Sequence, residues 1–188
     1  SESIIKGRIE YNKCSNEKEL LTKFLTHWSA NVPDVISGWN VKYFDIPYLV
    51  NRVRILFNDD TTKKFSIHKI KPRRSQSKYE DNYYQIYGTS VLDYLQLFKK
   101  FALYGMQDSY RLDNIAHVVL GEKKLDYSEY SSLNELYINN HQKFIDYNIK
   151  DTELIERLDD KLGLIGLTLT LSYKANVPYE CALGSTRI

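Results

Sequence analysis

No stretch of this chain comes near the ~20 consecutive apolar residues that a membrane-spanning helix needs, and its first residues lack a secretory leader pattern. Cysteine is scarce. Cys14 and Cys181 form neither a metal-ligand spacing nor a disulfide framework, which points to a reducing, cytoplasmic setting. An excess of one charge is also lacking: a formal net charge of +2 makes the whole molecule no polycation. Internal repeats and linker-like segments are absent too, so 188 residues read as one domain. What is present is 43% hydrophobic and 27% charged residues, enough for a sizeable core and unlike a disordered chain.

Helical and strand patterns alternate, the signature of an α/β domain. Ile4–Tyr11 has strand-forming residues. Asn16-Glu17-Lys18-Glu19 is a capping-box pattern, and Leu20, Leu21, Phe24, Leu25 and Trp28 follow at helical spacing, predicting a helix over 17–30. Residues 35–39 read as a short buried strand, and Pro47 suits the first turn of a helix through Val50 and Val53. Residues 83–92 read as strand. Helices are predicted over 94–101, 109–120 (closed by Gly121), 132–139, 140–161 and 164–173.

Residues 58–82 form a basic loop or hairpin excursion. Between 63 and 78 stand Lys63, Lys64, Lys69, Lys71, Arg73, Arg74 and Lys78 with no acid among them. Such a run is either a solvated loop or an arm that contacts phosphates. Tyrosine is plentiful at 16 residues, some of which could offer stacking faces to unpaired bases.

Two acids stand out. Phe144, Tyr147, Asn148, Asp151, Leu154, Ile155, Leu158 and Leu162 share one helical face, so Asp151 falls in an apolar stripe one turn after Tyr147. It is either a structural carboxylate with a buried partner or a metal ligand. Asp45 poses the same choice between a helix cap and a ligand at a strand-to-helix junction. Hard divalent ions take several oxygen ligands, and two aspartates do not complete such a site. Asp93 and Asp113 read as helix-start carboxylates, and the four histidines show no ligand spacing.

Gly-Trp-Asn-Val-Lys-Tyr-Phe-Asp-Ile-Pro (38–47) resembles the second exonuclease motif of the family-B DNA polymerases, Asn-x-x-x-Phe-Asp. Tyr-Asn-Ile-Lys-Asp (147–151) resembles the third, Tyr-x-x-x-Asp. Segments 90–101 and 120–125 are similar to that family as well, in particular to phage replicative members of the T-even type. The likeness runs along nearly the whole chain with the motifs in order. It implies a ribonuclease-H-like exonuclease fold that removes mispaired nucleotides from a DNA 3′ end by two-metal-ion hydrolysis. It implies Asp45 and Asp151 as ligands of Mg²⁺ or Mn²⁺, two ions in the intact domain. Tyr147 would orient the attacking water or scissile phosphate, Asn40 and Phe44 would seat the terminal nucleotides, and Lys124 would stabilise charge at the reacting phosphate. The implied partners are DNA with a single-stranded 3′ end and the polymerase core of a parent chain.

The family's first motif, Asp-x-Glu on a central strand, is absent; Glu2 and Glu10 flank Gly7 and form no such pair. Palm, fingers and thumb sequences are absent as well. The expectation is a partial exonuclease domain over 1–188, incomplete at its N-terminal strands and poorly active by itself. Strand edges left open would favour self-association. The alternative from another class is a non-catalytic single-stranded nucleic-acid-binding module that uses the basic segment and the tyrosines.

Overall fold

The computed structural model describes residues 3–6, 9–75, 83–122 and 128–183. Strand β1 (Ser3–Lys6) pairs antiparallel with β2 (Ile9–Asn12), Lys6 opposite Ile9. One strand over Ile4–Tyr11 is therefore corrected to a hairpin, since β-propensity persists across a fold-back and does not locate it. Helix α1 (Glu17–Ala30) begins where the capping box places it. Asn16 Oδ1 accepts the Glu19 N–H at 2.9 Å, and Glu19 Oε2 accepts the Ser15 N–H at 2.8 Å. The first bond satisfies a donor that the helix itself leaves open, and the second ties the residue before the cap to the first turn.

The chain divides into two compact units. The first comprises Ser1–Ile36 and Lys42–Val91. Here α1 and α2 (Asp45–Leu56) both pack on a 3-10 turn at Asp60–Phe65, whose last residue is fully buried. Phe24, Trp28 and Phe65 form a ring cluster with centroids 5.4–6.4 Å apart, and Trp28 Nε1 donates to the Phe65 carbonyl at 2.9 Å. Leu21, Leu25, Val50 and Val53 complete this core. Each such side chain contributes about 1.5–3 kcal/mol by leaving water. Arg52 on α2 grips Glu17 on α1, its Nε 2.6 Å from Oε1.

After the 3-10 turn, β4 (Arg73–Arg74) pairs antiparallel with β5 (Tyr84–Gln85). Two lysines of the basic segment are already engaged here. Lys71 reaches Asp59 at 2.7 Å and Asp60 at 3.0 Å, and Lys63 reaches Asp60 at 3.1 Å. Those acids lie just upstream of the acid-free run. Lys78 lies outside the described residues. The single strand expected over 83–92 is two: β5, then a turn with Ile86 bridged to Thr89, then β6 (Ser90–Asp93).

β6 pairs with β3 (Val35–Gly38), which is half-buried rather than fully buried as expected. Within the first unit the Ser90 N–H donates to the Asp34 carbonyl, and within the second Ser37 Oγ donates to the Leu92 carbonyl, both at 2.8 Å. The division between units falls within both strands.

The second unit comprises Ser37–Val41 and Leu92–Ile188. It is helical beyond its strand ends: α3 (Tyr94–Phe101), α4 (Leu112–Leu120), α5 (Leu133–Asn139), α6 (His141–Leu162) and α7 (Leu164–Ala175). α5 and α4 pack on α6, and α7 packs on α3. Tyr94, Leu97, Phe98, Ile115, Leu136, Leu154 and Leu158 are buried. Asp159 Oδ1 accepts from the Tyr94 hydroxyl at 3.2 Å and from Ile165 N–H at 3.0 Å, tying α3, α6 and the start of α7. Burial and the Asp159 charge both hold the Tyr94 phenol far above its ordinary pKa.

Candidate active site

The turn after β3 is shaped by small size and an unusual backbone. A Cβ at Gly38 would lie 3.0 Å from Val41 Cβ, so a side chain there would have to push Val41 back by a few tenths of an ångström. Asn40 adopts φ +63°, a left-handed conformation that asparagine tolerates better than most residues. It is exposed, and its N–H donates to Asp93 Oδ1 at 3.3 Å. Trp39 Nε1 donates to the Tyr110 carbonyl at 3.1 Å.

Phe44 then takes the capping position of α2, its carbonyl accepting Tyr48 N–H at 3.0 Å, without a side-chain cap bond. Asp45 is the first helical residue, so the N-cap role allowed by the sequence is corrected: the turn enters the helix one residue earlier than an Asp cap requires. Its carboxylate, exposed in the first turn, still gains from the N-terminal end of the helix dipole. Phe44 is 66% exposed, an open aromatic face beside the acid.

On α6, Tyr147 is buried and Asp151, one turn later, is half-buried in the stripe that continues to Leu154 and Leu158. Asn148, expected on that face, is exposed and donates to the Phe144 carbonyl at 2.6 Å, since it sits at the stripe's margin. Beside Asp151, Lys150 Nζ reaches Glu122 Oε2 at 3.0 Å, and Arg157 binds the same carboxylate. These two cations hold the Glu122 carboxyl below its usual range, Lys150 contributing most. Glu122 is thus clamped to α6; Lys124, two residues on, lies outside the described residues. Asp45 and Phe44 belong to the first unit, and Asn40, Tyr147 and Asp151 to the second.

Residues 2–115, more than half the chain, match the family model for the exonuclease domain of DNA polymerase family B. The chain is 36% identical over 178 residues to the DNA-directed DNA polymerase of Enterobacteria phage T4, covering 94% of this chain and 20% of that protein. It is 38% identical over 184 residues to the DNA-directed DNA polymerase of Escherichia phage RB69, covering 95% and 20%. The chain belongs to the family-B DNA polymerases, by their exonuclease domain. A more distant relative is the DNA polymerase delta catalytic subunit of Caenorhabditis elegans, 28% identical over 183 residues, covering 91% of this chain and 16% of the subunit. The chain therefore spans about a fifth of the length of the phage relatives.

Within this family-B exonuclease domain, Asp45 and Asp151 supply carboxylate oxygens, the donors that hard divalent ions take. Among the described residues, however, no group of three or more Asp, Glu, His or Cys side chains is placed to hold a metal. The described residues alone do not make a complete metal centre. Sequence reasoning missed the bond from Asn40 to Asp93 and the anchoring of Trp39 on Tyr110. They join residues 53 and 71 positions apart, and no local pattern announces them.

Proposed function

We propose that this chain is the proofreading 3′→5′ exonuclease domain of a replicative DNA polymerase, acting on a single-stranded DNA 3′ end. The observation that carries the reading is a pair of acids at the two family motifs. Asp45 opens α2 behind an exposed Phe44, and Asp151 lies in the inward stripe of α6 one turn after buried Tyr147. In this reading Asp45 and Asp151 each give a carboxylate to Mg²⁺ or Mn²⁺, and further oxygen ligands come from outside the described residues. Two such ions, when bound, supply an activated water and stabilise the leaving oxygen. Tyr147 orients the water or scissile phosphate, Asn40 and Phe44 seat the terminal nucleotide, and Lys124 steadies charge at the phosphate.

The test separates ligation from turnover. Mn²⁺ is titrated into the chain and followed by the EPR signal of the free ion, alongside fluorescence anisotropy of a single-stranded oligonucleotide with a free 3′ end. Asp45→Ala and Asp151→Ala are each expected to weaken Mn²⁺ binding by about tenfold or more and to remove the metal dependence of oligonucleotide binding. Mn²⁺ affinity unchanged in both variants would overturn the reading. Oligonucleotide binding that ignores the metal altogether would mark the non-catalytic single-strand-binding alternative.

A further inference from the structure

Among the described residues Asp93 is the one charged side chain in the fully buried class, with 0% of its surface exposed. A buried carboxylate is tolerated only when it is well hydrogen-bonded. One bond is the ordinary one for its position: Asp93 Oδ1 accepts Leu95 N–H at 3.1 Å as the N-cap of α3. A serine or asparagine would cap as well and at less desolvation. The second bond is not required by α3 at all. The same oxygen accepts the N–H of Asn40, 53 residues earlier, at 3.3 Å.

That N–H belongs to a residue in the left-handed region, a conformation that strains any residue but glycine. A hydrogen bond from an amide to a charged oxygen is stronger than a neutral one and works against that strain. The preceding residue is held from the same helix. Trp39 lies against Tyr94 and Phe98 of α3, centroids 6.3 and 6.2 Å away, besides donating to the Tyr110 carbonyl. Two successive residues of the turn are thereby pinned to α3, one by ring packing and one by a carboxylate.

We propose that Asp93 is a positioning residue for the 3′ end. Its carboxylate locks the Asn40 backbone in the left-handed geometry, so that Asn40 meets the terminal nucleotide in one conformation. Asp93 itself is buried and acts through Asn40. The inference rests on the proposed role of Asn40 as a seat for the 3′-terminal nucleotide.

The test is a double-mutant cycle in binding of a 5′-fluorescein single-stranded oligonucleotide with a free 3′ end, paired with amide hydrogen exchange at Asn40. Asp93→Ala is expected to weaken oligonucleotide binding about tenfold and to speed exchange of the Asn40 amide by at least as much. Asp93→Asn keeps an oxygen acceptor and is expected to recover most of both. In an Asn40→Gly background, where the left-handed backbone needs no help and the side chain is gone, both Asp93 variants should cost nothing further in binding. An equal loss in that background, or an Asn40 amide whose exchange is unmoved, overturns the proposal. Should Asp93→Ala fail to fold, Asp93→Ser, whose shorter side chain still caps α3, takes its place in the cycle with the same expected losses. Should the parent chain not bind the oligonucleotide, the exonuclease reading fails instead, and Asn40 exchange still decides whether Asp93 sets that backbone.

Discussion

A methyl group at position 88 would lie 2.6 Å from Ile67 Cγ2, on a backbone held at φ +88°. Gly88→Ala is therefore expected to destabilise the chain by about 1–2 kcal/mol through the backbone alone, and by more where Ile67 must move. Urea denaturation of the variant against the parent reads this directly, and equal midpoints would refute it. The same residue marks the edge of what single positions reveal in sequence. Gly88 sits inside a strand-like run, and its role as a turn appears only with Ile86 bridged to Thr89. Asp151 was legible because a carboxylate in an apolar stripe is anomalous by periodicity alone. Asn148 was misplaced because one position along a helix turns the side chain by ~100°, and the stripe's margin cannot be read to that precision. Asp45 missed the capping position by one residue, a shift that propensities do not resolve.

Among elements, α1 was legible to the residue, since its capping box and its apolar period agree. That box also carries a pH dependence. The Glu19 carboxyl is pulled from 4.5 to about 2, first by the Ser15 backbone N–H, then by the Ser15 side chain and Lys23. A folded-state value below the unfolded one means stability that is present above pH 4.5 and lost as the pH falls through about 2. Thermal melts of the parent and Glu19→Gln are expected to differ at pH 6 and to converge near pH 2. A gap that stays constant across that range would show that the box does not hold α1. The strands were read less well than the helices. Runs of four residues carry little periodicity, and 4–11 and 83–92 each hide a fold-back that long-range pairing alone defines.

At the scale of the molecule, the division into two units has no counterpart in composition: no linker, charge shift or repeat marks it, because it passes within β3 and β6. Family membership was legible, since the motifs at 38–47 and 147–151 lie in order along a chain that matches the phage polymerases over 94–95% of its length. The metal chemistry sets the molecular prediction. With Mg²⁺ and single-stranded DNA, the chain by itself is expected to release 3′-terminal nucleotides only at trace rates, because the two motif carboxylates among the described residues bind a divalent ion without fixing two ions for turnover. Rapid Mg²⁺-dependent degradation that disappears in Asp45→Ala would overturn this.

The pairing of Lys63 and Lys71 with Asp59 and Asp60 bears on how the basic segment would meet a polyanion. These two ammonium groups arrive with protein carboxylates already serving as their counterions. Seating a phosphate on either one exchanges an internal anion for an external one, with correspondingly less gain in the entropy of released salt. Each lysine withheld in this way takes about 0.7 from the slope of log affinity against log salt for a single strand. Seven cations counted between 63 and 78 thus overstate the ionic-strength sensitivity of the segment, and part of its charge serves to fasten the 3-10 turn.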